Sequence, residues 1–173
     1  MSCVTDPDRL QRLWTPYRLS YVQDAAATPG GDECPFCRIA AGGPQSELVV
    51  HRGATCFVVL NLFPYNPGHL MVMPNRHVGD YTDLDAAETA EVADLTQTAL
   101  RTIRAVSAPA GFNVGLNLGK VSGGSLSAHL HQHVVPRWEG DANFMTVLGQ
   151  TKTLPQLLED TRDLLAAAWP QED

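Results

Sequence analysis

The sequence predicts an α+β domain in which roughly five antiparallel strands pack with two main helices. Short apolar runs separated by turn residues fill positions 47–74, which is typical of a strand meander. Apolar residues then recur at helical spacing over 82–106, and β-type runs return after position 110. We therefore expect one antiparallel sheet with helices packed against it.

Three short runs open the domain: 47–51 (ELVVH), 56–61 (CFVVLN) and 69–74 (HLMVMP). Their β-branched and aromatic residues favour strands. The segments RGAT and FPYNPG between them carry Gly, Pro and Asn, which are typical of tight turns. Together the runs predict a meander.

The long helix is predicted over 82–106. Its apolar positions follow the helical period and are Leu84, Val92, Leu95, Ala99, Ile103 and Val106. Thr82 or Asp83 is available as its N-cap.

The second half of the chain predicts two more strands and a final helix. GFNVGLNLG (111–119) predicts a fourth strand, and HLHQHVVP (129–136) predicts a fifth strand that Pro136 ends. A last helix is predicted from about 154 to 169, with Pro155 suited to its first turn.

The length of 173 residues fits one domain with a substantial core. Residues 1–33 predict an arm and linker, because an amphipathic stretch interrupted by Pro16 is followed by AAATPGGDE. Residues 34–173 are predicted to form the domain and its C-terminal helix.

Charge and hydropathy narrow the classes of function. The formal net charge of −7 argues against a nucleic-acid polymer as partner, since such surfaces are usually basic, but a local site for a small phosphate ligand stays compatible. No apolar run approaches the roughly 18 to 20 residues of a membrane span, and the first residues lack the pattern of a secretory signal. We therefore expect a cytoplasmic protein without a membrane partner.

Three of the six histidines alternate in one short segment, at His129, His131 and His133. Side chains alternate between the two faces of a strand, so these three are predicted to share one face. Two chemistries use such a row. One is a metal site, although three histidines on one strand converge poorly on a tetrahedral ion. The other is nucleophilic catalysis, in which one imidazole attacks and its neighbours handle protons.

A glycine- and serine-rich loop precedes the histidines and favours the second chemistry. Backbone N–H groups and hydroxyls in SGGS can approach phosphate oxygens closely. We therefore expect a phosphoryl group beside the histidine row.

These segments resemble the histidine triad (HIT) superfamily. HLHQHVV resembles its signature, and NLFPYNPGHLMVMPNRHV is similar to its second typical segment, in the same order. LWTPYRLSYV, GFNVGLNLG and HVVPRWEGDANFM look like the branch that contains diadenosine polyphosphate hydrolases and diadenosine tetraphosphate phosphorylases. One departure is Gln132, where an apolar residue is usual; it points away from the histidine face, so we expect it to affect packing.

The resemblance implies that His131 is the nucleophile and that it forms a nucleotidyl-histidine intermediate at an α-phosphorus. His129 and His133 would flank it. Leu60, Asn61 and Phe63 would cradle base and ribose, although Phe63 is equally compatible with the core. His69 in the PGH segment is expected to be a structural hydrogen-bonding residue.

The second acceptor is either water or inorganic phosphate, which makes the enzyme a hydrolase or a phosphorylase. Hydrolases of the superfamily commonly carry glutamines near the histidines, where this chain has Asn117 and the pair Gly124 and Ser125. Shorter side chains leave room for a phosphate ion, so we favour phosphorolysis of diadenosine tetraphosphate to ATP and ADP. Trp138 is a candidate lid or base contact.

Cys34 and Cys37 form a CPFC motif, which in a reducing compartment indicates metal or redox chemistry before a disulfide. His77 and His129 would complete a two-cysteine, two-histidine set, the mix typical of structural zinc and similar to that of other HIT members. Two cysteines without metal are the alternative. No strand directly precedes the motif, which disfavours a thioredoxin-like role.

Two other functions stay open: a zinc-stabilised nucleotide-binding module with little turnover, and a three-histidine metallohydrolase. The resemblance further implies a homodimer in which two five-stranded sheets form one continuous sheet, with residues after 140 reaching the partner's site. Whether dimers pair into tetramers is left open.

Overall fold

The computed structural model describes residues 34–122, 126–141 and 154–171, together with Met145 and Leu148. The predicted arm over 1–33 lies outside these residues. The helices are α1 (Pro35–Ala40), α2 (Ala86–Ser107) and α3 (Leu158–Ala168). The strands are β1 (Val49–Arg52), β2 (Cys56–Leu60), β3 (Leu70–Pro74), β4 (Gly111–Leu116) and β5 (Gln132–Arg137).

The five strands form one antiparallel sheet in the order β1-β2-β3-β5-β4. This architecture confirms the predicted α+β class. β5 inserts between β3 and β4, so the histidine segment reaches the middle of the sheet, while β4 lies at an edge. β4 ends at Leu116, three residues before the end of the predicted run, because its last partner, Gln132, is where β5 begins.

Helix α2 starts later than predicted, and neither Thr82 nor Asp83 is its N-cap. Those two residues belong to a 3-10 turn, in which Asp80 accepts a hydrogen bond from the Thr82 N–H at 2.9 Å. Asp85 caps the helix in a reciprocal box with Glu88, whose backbone N–H donates to the Asp85 carboxylate at 2.8 Å. The Glu88 carboxylate in turn accepts from the Asp85 N–H at 3.0 Å. This box satisfies two free donors at once, which a lone Thr82 or Asp83 cap does not.

The fifth strand is shifted from its predicted range. It begins at Gln132, so His129 and His131 precede it, and it continues through Pro136 to Arg137. Pro136 is tolerated because the ladder between β3 and β5 has already ended at Val134. The Pro136 carbonyl accepts a hydrogen bond from the Asn66 side chain and not from a neighbouring strand. The N–H that proline lacks would therefore have had no strand partner on that side.

Helix α3 begins at Leu158, not near 154, and Pro155 lies before its first turn. Leu157 is extended, and Glu159 and Asp160 occupy the first turn, where negative charge favours the positive end of the helix dipole.

The core lies between the sheet and helices α2 and α3. β2 and β3 are buried along their whole length, and α2 buries the apolar stripe that its period predicts. Gln132 also faces this side, since its amide donates to the Thr96 hydroxyl on α2 at 2.6 Å. The predicted packing role of Gln132 therefore agrees with the structure, and the opposite face of the sheet is left for the histidines. Within the described part of the chain, no helix combines the length and apolar character needed to cross a bilayer.

Candidate active site

His131 lies at the centre of the site, directly before β5. Its ring is 5.0 Å from that of His133 and 5.1 Å from that of Phe36, measured between centroids. The side chain is buried, with 7% of its surface exposed. Two neighbouring rings and the buried backbone therefore hold the imidazole in one orientation.

The backbone selects the tautomer of His131. Its Nδ1 lies 2.8 Å from the carbonyl oxygen of His129, and because a carbonyl only accepts, Nδ1 carries the proton. Nε2 then keeps its lone pair. Burial also lowers the pKa of His131 from its ordinary value, which favours the neutral ring. A neutral imidazole with an unprotonated Nε2 is a nucleophile at neutral pH.

His133 is held by a second histidine. The Nε2 of His69 lies 2.9 Å from the Nδ1 of His133, and the backbone N–H of Tyr65 donates to the Nδ1 of His69 at 3.1 Å. Since Nδ1 of a neutral His69 accepts, its Nε2 carries the proton and donates to His133. In a neutral His133 the proton is then on Nε2, which lies 3.4 Å from the side-chain amide of Asn117; the amide can bond this N–H only through its oxygen.

His69 therefore has the structural hydrogen-bonding role that the sequence predicts. It is completely buried and ties the turn after β2 to the histidine row. Tyr65 was not predicted, although its ring also packs near His133 at 5.7 Å between centroids. No sequence signal marks it, because its contribution is a backbone N–H.

The candidate nucleoside residues follow the end of β2. Leu60 is buried in the strand. The side-chain oxygen of Asn61, Oδ1, accepts a hydrogen bond from the backbone N–H of Phe63 at 3.0 Å. Phe63 is 68% exposed, so the alternative that it belongs to the core is wrong. Its ring is available to a ligand.

The remaining predicted residues are not all brought together. Asn117 reaches His133, whereas Gly124 and Ser125 lie outside the described residues. Trp138 points to the other side of the chain, where its indole N–H donates to the Ser107 carbonyl at 3.2 Å beside a cavity of about 360 Å³ between α2 and α3. Its predicted contact with a base stays a prediction.

A separate cluster unites the four predicted metal ligands. The ligand atoms of Cys34, Cys37, His77 and His129 all lie within 4.8 Å of one another. The Sγ of Cys37 is 3.2 Å from Nδ1 of His77 and 3.5 Å from Nδ1 of His129, and the Sγ of Cys34 is 3.5 Å from the same His129 nitrogen. The two cysteines and two histidines thus converge on one point.

His129 is oriented toward this cluster by the backbone. Its Nε2 donates to the carbonyl of Pro74 at 2.9 Å, which leaves the Nδ1 lone pair facing the two sulfurs. Burial lowers the pKa of His129 to about 4, so the ring is neutral, as a metal ligand requires. Phe36 lies between the two cysteines in sequence and packs on His129 and His131, and it was also not predicted.

An ion pair closes the far end of β5. Arg137 donates two hydrogen bonds to the Asp141 carboxylate, at 2.6 and 2.9 Å, and a third to Asn113 at 2.8 Å. The hydrogen bonds from Arg137 hold the pKa of Asp141 well below its ordinary value. The pair therefore stabilises the fold wherever Asp141 is ionised.

Asp141→Asn is expected to lower the thermal midpoint by a few degrees at pH 7. A carboxylate with a depressed folded-state pKa stabilises the protein above its unfolded pKa of about 3.9, and this contribution is lost as pH falls through the folded value. The difference from wild type should therefore shrink below about pH 4. Thermal unfolding from pH 7 to 3 measures it, with Asp94→Asn, an exposed position on α2, as control. A difference that stays constant with pH would contradict the ion-pair account.

Comparison with known proteins identifies the family of this chain. The model of the HIT domain family matches residues 44–140. The chain belongs to the HIT domain family. The match confirms the resemblance inferred from the sequence, and the HIT range contains the histidine row but not the CPFC motif.

Among relatives of this HIT protein is the AP-4-A phosphorylase of Mycobacterium tuberculosis strain H37Rv. The two are 53% identical in an alignment of 173 positions, which spans 95% of this chain and 87% of the relative. An uncharacterised HIT-like protein of Mycoplasma pneumoniae is 31% identical over 113 residues, or 65% of this chain and 77% of that protein.

A solved structure extends the comparison to the fold. The HIT fold of this chain is similar to the crystal structure of a Zn-bound histidine triad family protein from Mycobacterium smegmatis, with a TM-score of 0.65 and 29% identity. The similarity covers 79% of this chain and 92% of that one.

Proposed function

We propose that the chain is a nucleotidyltransferase that cleaves diadenosine tetraphosphate by phosphorolysis to ATP and ADP. The observation that carries the proposal is the buried His131, whose Nδ1 bonds the His129 carbonyl and whose Nε2 lone pair is left for attack. The AP-4-A phosphorylase relative supports the substrate and the acceptor.

The first step forms a bond from Nε2 of His131 to the α-phosphorus and breaks the bond between that phosphorus and the bridging oxygen. The electron pair of the broken bond leaves with ATP. His133 presents an Nε2–H donor beside His131, which stabilises charge that develops on the phosphate oxygens. In the second step, an oxygen of inorganic phosphate attacks the nucleotidyl-His131 phosphorus, the P–N bond breaks, and ADP is released.

Other predicted residues have supporting roles in this proposal. Leu60, Asn61 and Phe63 would hold the nucleoside, and the exposure of Phe63 supports this placement. Asn117 would contact the phosphate acceptor, because its amide lies near His133 and its side chain is short. Gly124, Ser125 and Trp138 keep their predicted substrate roles, as do His129 and His133 as neighbours of the nucleophile.

We also propose that Cys34, Cys37, His77 and His129 hold a structural zinc ion. The donors fit, since two sulfurs and two Nδ1 atoms converge, and the Pro74 carbonyl fixes the His129 tautomer. When bound, zinc supplies only a cross-link between α1 and the segment before β5, while the transfer steps use His131 and His133. The Zn-bound relative supports this assignment. Reduced cysteine ligands are also compatible with the proposed cytoplasmic location.

The proposed assembly is a homodimer in which β4 pairs with the partner's β4. β4 is an edge strand of the described sheet, and Val114 on it is 46% exposed. An unprotected edge with an exposed apolar side chain favours pairing with another strand. Residues after 140 would then lie near the partner's site, and pairing of dimers into tetramers remains compatible.

Dependence on inorganic phosphate is expected to be absolute. Purified protein incubated with diadenosine tetraphosphate should yield ATP and ADP only when millimolar phosphate is present. Ion-exchange chromatography separates the products, and ¹⁸O-labelled phosphate should appear in the β-phosphate of ADP. ATP and AMP formed regardless of phosphate would identify a hydrolase instead, and no cleavage together with tight nucleotide binding would identify a binding module.

A further inference from the structure

Asn66 joins three parts of the chain behind the histidine row. It is 2% exposed, and its side-chain NH₂ donates to the Pro136 carbonyl at 2.9 Å and to the Asp141 carboxylate at 2.6 Å. The backbone carbonyl of Asn66 accepts a hydrogen bond from the backbone N–H of His69 at 3.1 Å. One buried amide thus links the turn between β2 and β3 to the end of β5 and to the turn that follows.

The acceptor of this amide is itself fixed. The Asp141 carboxylate receives two bonds from Arg137 and one from the Trp138 N–H at 3.2 Å. His133 and Arg137 are both on β5 and are separated by an even number of positions, so their side chains are on the same face of the sheet. The bonds through Asp141 and Arg137 therefore fix the position of Asn66 relative to β5, the strand that carries His133.

The residue before Asn66 supplies the shorter of two contacts that set the tautomer of His69. The Tyr65 N–H donates to Nδ1 of His69, and this bond requires the 65–66 segment to keep its direction. If the segment rotated, Nδ1 of His69 would lose the Tyr65 N–H, the nearer of its two donors, and would keep only the Asn61 side-chain nitrogen at 3.4 Å, so the ring could take the other tautomer. Nε2 of His69 would then have no proton to donate to His133, whose own Nε2–H depends on it.

We propose that Asn66 is a positioning residue for the transfer reaction: its bonds to Pro136 and Asp141 hold the Tyr65 N–H on His69 and so keep the His133 donor directed at the substrate phosphate. The inference rests on the proposed function for its effect on rate. Its effect on the two histidine rings is independent of that function.

Three variants test the role. Asn66→Ala removes both side-chain bonds, and Asn66→Asp keeps the shape but removes the donors and sets two carboxylates together. The double variant Asn66→Asp with Asp141→Asn reverses donor and acceptor in the contact between the two side chains, but it restores neither the bond to the Pro136 carbonyl nor the ion pair with Arg137. Val92→Ala, a buried deletion on α2, is the control for general loss of stability.

Two readouts separate positioning from stability. The single-turnover rate of nucleotidyl-His131 formation is expected to fall about 10- to 100-fold in Asn66→Ala and Asn66→Asp, with KM changed much less. The ¹⁵N chemical shifts of the His69 and His133 rings should change from one tautomer to a mixture. The double variant should recover the part of both that depends on the contact between residues 66 and 141, whereas Val92→Ala should lower the thermal midpoint and alter neither.

The opposite results would overturn the proposal. Wild-type rate and wild-type ring shifts in a folded Asn66→Asp or Asn66→Ala would show that the network is only structural. If the wild-type protein forms no nucleotidyl-histidine at all, the proposed function fails, and the ring shifts alone still decide whether Asn66 controls the His69 and His133 tautomers.

Discussion

His131→Ala is expected to abolish nucleotidyl transfer, with kcat at least about 10⁴-fold lower, as for removal of the nucleophile from other covalent enzymes. The Nε2 lone pair is what attacks the α-phosphorus in the proposed mechanism, and the variant has no atom in its place. The described neighbours of His131 offer no substitute, because the Nδ1 of His133 accepts from His69 and its Nε2 carries a proton.

Mass spectrometry of the intact protein measures the first step. Wild-type enzyme should carry a nucleotidyl adduct after it is mixed with diadenosine tetraphosphate. The reaction is quenched without acid, because acid would cleave the P–N bond. His131→Ala should carry none. His133→Ala is the matched control from the same segment, and it should react more slowly but still form the adduct on His131. An adduct of equal yield in His131→Ala would place the nucleophile elsewhere.

Loss of the metal cluster is expected to have the largest effect on stability. His77→Ala should abolish stoichiometric zinc binding and lower the thermal midpoint by about 10 °C, if the ion contributes about 3 kcal/mol in a protein of this size. The reason is that the remaining three ligands, Cys34, Cys37 and His129, would lose the proposed ion that cross-links α1 to the segment before β5.

Zinc content and thermal unfolding are measured together on the same preparations. Cys56→Ala is the matched control, because Cys56 is a buried cysteine whose thiol contacts the Glu88 carbonyl and not the cluster. This variant should keep its zinc even though it removes a buried thiol. Full zinc occupancy in His77→Ala, or equal zinc loss in Cys56→Ala, would contradict the assignment.

Local patterns predicted the elements of the site but not their hydrogen bonds. The period-2 spacing of the histidines placed His131 and His133 on one face, and the ligand types of CPFC with His77 and His129 identified the cluster that the structure forms. Both depend on residue identity and short-range geometry. These are the properties that a single sequence carries.

The tautomers could not be predicted in this way. That of His131 depends on where the His129 carbonyl points, and that of His69 depends on a backbone N–H in a turn. The contact between Asn66 and Asp141 joins residues 75 positions apart, and neither residue type signals it. The shifted ends of β5 and α2 have the same origin, because neighbouring strands and a reciprocal cap outweighed the local signals at Pro136 and Thr82.

The cluster also bears on the unfolded chain. Its ligands come from three parts of the chain, and the outermost two, Cys34 and His129, are separated by 95 positions, with four of the five strands between them. The proposed ion would close a loop of that length, with His77 inside it, and a comparable covalent cross-link removes chain entropy equivalent to about 4 to 5 kcal/mol from the denatured state. With that ion bound, the cluster would have a topological role: it can be completed only after most of the sheet has been synthesised, and it would limit how far α1 can separate from the segment before β5.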